Sequence, residues 1–300
     1  MTDETAGLVR LLGGFRPSRF LCVGEEPLAA GLSGTRTLQL QLRRNDGVLA
    51  RAILTGPEQA WEGTPAVVYC HAHGGRYDIG AAELVASRPA LRPEPYGLAL
   101  ASRGIVALAI DMPCFGVRSA ETESAAAKRH LWRGTTLFGE MLEDLSGALD
   151  LLGDWPGIDR ERIGAFGISM GATLAFWLAA LEPRLKCIAH LCCFADLAEL
   201  VRQGEHDRHG IYMMVPGLLR QMRTGAIAGL AAPRPQLACM GAKDPLTPPS
   251  AIAVAVADVR ASYAARNALD RLTITIDAEA GHCETPEMRT AVLDFLTRQL

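Results

Sequence analysis

Three side chains able to carry nucleophilic catalysis lie far apart along the chain, each on a short loop-forming stretch. Ser169 stands in Gly167-Ile168-Ser169-Met170-Gly171, Asp244 in Gly241-Ala242-Lys243-Asp244-Pro245, and His282 in Ala280-Gly281-His282-Cys283. A serine hydroxyl is a weak nucleophile until an imidazole takes its proton. The imidazole works best when a carboxylate orients it and stabilises its protonated form. Such a set performs acyl transfer, and it needs N–H donors for the oxyanion that develops. Met170, directly after the serine, offers one amide. The second is expected from His71-Ala72-His73-Gly74-Gly75-Arg76-Tyr77, where glycines let backbone amides approach a substrate closely. The His73 amide is favoured there, with Gly74 as the alternative.

Rival chemistries at these residues are weaker. His71 and His73 form a His-x-His pair, but no nearby Asp-His pair completes a ligand set, so neither a metal nor any cofactor is expected. Asp196, on the loop after the preceding strand, is the reserve for the acid. Cys283 is read as packing, because the serine turn already supplies a nucleophile.

Regular elements must position these loops. Ile163–Ile168 is an apolar run that passes through Gly-x-Ser-x-Gly straight into Ala172–Ala180, which reads as strand, tight turn and helix. A β-carbon at position 167 or 171 would collide with neighbouring backbone, and the helix N-terminus points its N–H groups at the serine. Further strands are expected at Leu38–Leu42 and Val48–Leu54, a hairpin around Asn45-Asp46-Gly47, and at Ala66–Cys70, Ile105–Ile110, Cys187–Cys192, Gln236–Met240 and Leu272–Ile276. Helices are expected at Pro95–Arg103, residues 136–154, Ile252–Ala265, and from Thr285 onward. The result is an α/β fold with eight strands, mostly parallel, and helices on both faces. Working groups collect at the C-terminal ends of such strands, and the loops after Cys70, Gly167, Met240 and Ile276 hold the candidates.

Residues 37–300 are read as one domain. Residues 1–36, with a short helix around Ala6–Leu12, receive no role, and 194–232 is read as a small cap-like insertion. Within it His209 and Tyr212, together with Gly74 outside it, are candidate substrate-binding residues.

With 300 residues, 49% of them hydrophobic, the chain can bury a sizeable core. A formal charge of −3 without a basic stripe argues against nucleic acid as a partner. The run from Ile163 to Leu181 is long and uncharged enough to suggest a membrane span, yet Gly164, Gly167 and Gly171 in its first half suit a strand-plus-helix unit better. No membrane partner is therefore expected. The acidic start, Met1-Thr2-Asp3-Glu4-Thr5, leads into no apolar targeting segment. Eight irregularly spaced cysteines suit reduced thiols in a cytoplasmic core. Homo-oligomerisation is left open.

The order Ser169, Asp244, His282, each just past a strand end, resembles the nucleophile–acid–base order of the α/β-hydrolase superfamily. The resemblance spans residues of about 37–300. Four stretches are similar to its dienelactone-hydrolase-like and acetyl-xylan-esterase-like branch: His71–Tyr77, Asp111–Gly116, Asp159–Ile163 and Ala232–Pro235. The chain departs from dienelactone hydrolase proper in having Ser169 where that enzyme uses cysteine, which favours ordinary esters. Ala72 and Ala172 replace glycines common in relatives. The resemblance implies a cofactor-free serine carboxylesterase of the α/β-hydrolase fold, acting on small or short-acyl esters through an acyl-enzyme. A peptidase or amidase of the same fold, or an inactive binding protein, are the alternatives.

Overall fold

A strand buried on both faces sends alternate residues into different cores. In Ala66-Val67-Val68-Tyr69-Cys70, residues 66, 68 and 70 enter one apolar cluster, and 67 and 69 enter another. The computed structural model describes residues 2–28 and 32–300. It begins with α1 (Asp3–Leu11), β1 (Phe20–Pro27), β2 (Thr35–Arg44), β3 (Leu49–Pro57) and β4 (Thr64–Cys70). Next come α2 (Glu83–Ala86), α3 (Tyr96–Ala101), β5 (Val106–Ile110), α4 (Glu123–Trp132) and α5 (Leu137–Gly153). The serine lies between β6 (Ile158–Ile168) and α6 (Met170–Leu181), which are followed by β7 (Ile188–Leu191), α7 (Leu197–Gln203) and α8 (Thr224–Gly229). The chain continues with β8 (Gln236–Gly241), α9 (Pro249–Ala264), β9 (Leu272–Asp277) and α10 (Pro286–Gln299).

One sheet holds all nine strands in the order β1-β2-β3-β5-β4-β6-β7-β8-β9. From β1 to β5 neighbours pair antiparallel; from β5 through β4 to β9 they run parallel. The larger apolar cluster lies between the sheet and α1, α5, α6, α8 and α9, the smaller one under α3 and α10. Helices therefore cover both faces, as expected.

The sheet has one strand more than the eight expected. The extra strand, β1, is an edge strand with a register shift between Cys22 and Gly24. Leu21 and Val23 are solvent-exposed, so no continuous apolar run announces it. The helix expected around Ala6–Leu12 is α1, and its Leu8 and the C-cap Leu12 are buried in the larger cluster. The apolar stretch 163–181 divides into the end of β6 and a helix of 12 residues, all buried inside the molecule. Among the described residues no helix is long and apolar enough to cross a membrane.

Candidate active site

Ser169 occupies the single residue between β6 and α6, with φ 57° and ψ −118°, a conformation that costs an L-residue about 1–3 kcal/mol. Its own amide is held by the Leu191 carbonyl at 2.9 Å. The turn is tight enough to exclude side chains on either flank. A Cβ on Gly167 would lie 2.4 Å from the Gly171 carbonyl, and one on Gly171 only 1.8 Å from the Cys70 carbonyl oxygen. Both glycines are there for space, and the serine side chain is left half-exposed above the sheet edge.

Parallel pairing of β8 with β9 brings the next two loops together, since Gly241 is in register with Asp277. The Ala242 amide bonds the Asp277 carbonyl at 2.8 Å and the Lys243 amide bonds that of Ala280 at 2.9 Å. Gly241 permits this approach, because a Cβ there would sit 2.3 Å from the Ala280 oxygen. His282 Nδ1–H consequently donates to Asp244 Oδ2 at 2.7 Å. That bond fixes the tautomer, so Nε2 presents a lone pair, and the Ser169 hydroxyl donates to it at 2.9 Å. Asp244 is 3% exposed. Burial alone would raise its pKa, but the His282 bond and charge, with the Leu246 amide at 2.8 Å, hold it below the ordinary carboxylate range. Behind His282 the buried Glu284 accepts the Arg92 amide at 2.7 Å and the Tyr96 hydroxyl, tying the histidine loop to α3.

In the loop after β4, all four imidazole nitrogens of the His-x-His pair are engaged. His71 is fully buried; its Nδ1–H donates to the Ala72 carbonyl and its Nε2 accepts the Met112 amide. Burial pushes its pKa down to about 4, so it stays neutral. His73 Nδ1 accepts the Gly75 amide at 3.0 Å, and its Nε2–H donates to Glu123 at 2.6 Å. The Ala72 amide is taken by both oxygens of buried Glu83, and the Arg76 amide by the His73 carbonyl. Among the described residues, the amides of His73 and Gly74 bond no protein acceptor, and these are the two the sequence singled out. The Met170 amide opens α6, where first-turn N–H groups lack intrahelical partners.

The remaining candidates fall in different places. Asp196 caps α7 through the Glu199 amide at 2.9 Å and pairs with Arg223 at 2.7 Å, a structural task away from His282. His209 donates to the Leu246 carbonyl at 3.0 Å, beside Asp244, with its other nitrogen 3.9 Å from Cys193 Sγ. Tyr212 is 4% exposed and its ring packs 5.7 Å from that of His73, so it backs the loop from behind. Outside His209 an apolar groove of about 650 Å³ is lined by Leu197, Ile211, Met213, Val215 and Leu218. All eight cysteines are free thiols. Cys192 lies close to Asp244 and His282, and burial raises its thiol pKa well above the ordinary value. Sequence reasoning missed Glu83, Glu123 and Glu284. Only Glu123 carried a signal: Thr122-Glu123 is a helix-start pair, and Thr122 does cap α4.

No family model matches the chain. It is 35% identical over 264 residues to a Bacillus subtilis (strain 168) protein bearing the provisional name hydrolase YtaP, covering 88% of this chain and 87% of that one. It is 28% identical over 207 residues to Esterase FrsA of Escherichia fergusonii, covering 62% of this chain and 47% of that protein. Among solved structures, a glucuronoyl esterase from Solibacter usitatus superposes with a TM-score of 0.68 at 14% identity, over 99% of this chain and 92% of that one. Acetyl xylan esterase 1 from Thermoanaerobacterium sp. JW/SL YS485 gives 0.67 at 16%, with the same coverage. The identity to YtaP over most of both chains shows that this chain belongs to the family of that hydrolase, and its sheet and the superposed structures give it the α/β-hydrolase fold.

Proposed function

We propose that the protein is a serine carboxylesterase for small or short-acyl esters. The observation that carries this is the unbroken hydrogen-bonded chain from Ser169 Oγ through His282 to Asp244, at 2.9 and 2.7 Å. Ser169 attacks the ester carbonyl as His282 Nε2 takes its proton, and Asp244 stabilises the imidazolium without itself becoming protonated. The developing oxyanion is met by the Met170 amide at the start of α6 and by His73, with Gly74 beside it. His282 then returns the proton to the departing alkoxide, leaving an acyl-enzyme. Water deprotonated by the same imidazole releases the acid. His209 lines the apolar groove and bonds the Leu246 carbonyl beside Asp244, so the apolar part of the ester is assigned to that side, and Gly74 contributes through its loop amide. Residues 194–232, the cap-like insertion, form that groove with short helical turns, a scale suited to modest groups. No cofactor enters any step.

Ser169→Ala is expected to lower kcat on p-nitrophenyl acetate by at least about 10³-fold and to abolish labelling by a fluorophosphonate probe. A variant that still turned over at the wild-type rate would remove the basis of the proposal.

A further inference from the structure

The loop that offers the His73 and Gly74 amides is fastened by carboxylates on both sides. On the inner side Glu83 holds the Ala72 amide and the Tyr69 hydroxyl, and is itself paired with Arg88. On the outer side Glu123, 5% exposed, holds the His73 imidazole. Its Oε2 takes the His73 Nε2–H at 2.6 Å and the Tyr77 hydroxyl at 3.0 Å, while Oε1 takes the Tyr212 amide at 2.9 Å. One carboxylate thus joins three segments: the loop after β4, the first turn of α4, and the insertion between β7 and β8. Charge at the first residue of a helix of 10 residues is favoured by the helix dipole. Burial alone would raise the Glu123 pKa, yet the His73 and Tyr212 bonds lower it overall, so the group is anionic at neutral pH.

The His73 ring is held at both nitrogens: Nδ1 accepts the Gly75 amide and Nε2–H donates to Glu123. Imidazole orientation and loop backbone are therefore one unit: turning the ring away from Glu123 releases the Gly75 amide and frees the peptide planes on either side of Gly74. Oxyanion stabilisation is sensitive to such movement, since donors act only when aimed in advance.

We propose, on the basis of the serine-esterase reading above, that Glu123 is a positioning residue. It acts through the His73 imidazole to aim the amides of His73 and Gly74 at the oxyanion, and through the Tyr212 amide it locks the insertion to that loop. Glu123 does not touch substrate, so its loss should slow acyl transfer without weakening substrate binding.

The test is a double-mutant cycle on the intact protein with Glu123→Gln and His73→Asn, run beside wild type and Ser169→Ala. Glutamine keeps an acceptor for Tyr212 and the side-chain volume. Asparagine keeps an acceptor for the Gly75 amide but is too short to reach position 123. Each single variant is expected to lower kcat on p-nitrophenyl acetate about 10- to 100-fold, with KM within about twofold and melting temperature within a few degrees. The rate of fluorophosphonate inactivation should fall in parallel. The double variant should lose no more than the worse single one, because both break one connection. Wild-type kcat in Glu123→Gln, a loss confined to KM, or multiplicative losses in the double variant would overturn the proposal while Ser169-dependent turnover stands. Turnover that survives Ser169→Ala would overturn both.

Discussion

The hydroxyl of Ser169, the imidazole of His282 and the carboxylate of Asp244 meet only because three glycines let backbones touch. Gly171 is the most demanding, with its Cβ position 1.8 Å from the Cys70 oxygen. Gly171→Ala is therefore expected to destabilise the fold by about 3 kcal/mol or more, read by urea unfolding, whereas a surface Gly→Ala change would cost little. A midpoint unchanged from wild type would contradict the packing described for the turn. Ser169, Asp244, His282 and the loop amides stood out as candidates in the sequence because each lies within two residues of a glycine or proline after an apolar run. The carboxylates behind them were not. A buried glutamate such as Glu83 or Glu284 looks like a surface one until its partners, from residues 69–96 and beyond, are brought to it. Tyr212 shows the converse: an amphipathic residue in a polar stretch read as pocket lining, but its ring packs behind His73 and only its backbone reaches Glu123.

Strands β4 to β8 were legible because mostly apolar runs of strand length have few other uses, and β9 because Leu272, Ile274 and Ile276 alternate with threonines. Helix α4 was not, since its buried side includes Ala126 and Ala127 and makes no apolar stripe. It is held largely by charge. His130 near its end bonds Glu140 of α5 at 2.7 Å, and Glu140 also meets Arg44 at the end of β2 at 2.7 Å. Arg44 and Arg118 both reach Asp144 on the same helix, at 3.1 and 2.6 Å. Burial alone would raise the Glu140 pKa, but His130 and the two arginines hold it down to about 2 from 4.5. A carboxyl depressed on folding adds stability above its unfolded pKa and loses it as pH falls through the folded one. Glu140 should thus contribute about 3 kcal/mol at neutral pH, lost between pH 4.5 and about 2. Urea unfolding across that window should show a steeper acid loss for wild type than for Glu140→Gln. Parallel curves would mean that the cluster is electrostatically idle.

At the scale of the whole molecule, the segment left without a role contributes to core and sheet: α1 and its C-cap place Leu8 and Leu12 in the larger core, and β1 completes the antiparallel edge. Its amphipathic character was too short-ranged to reveal that in sequence. Global stability also has an opponent at the centre of the site. Ser169 holds a backbone conformation that glycine would adopt with less strain. A Ser169→Gly protein should melt about 2 °C or more above Ser169→Ala, which keeps the strained backbone and likewise lacks the hydroxyl; equal melting points by calorimetry would show that the turn stores nothing. A laboratory hunt for heat-resistant variants, run without a turnover screen, would accordingly be drawn toward erasing the hydroxyl at position 169.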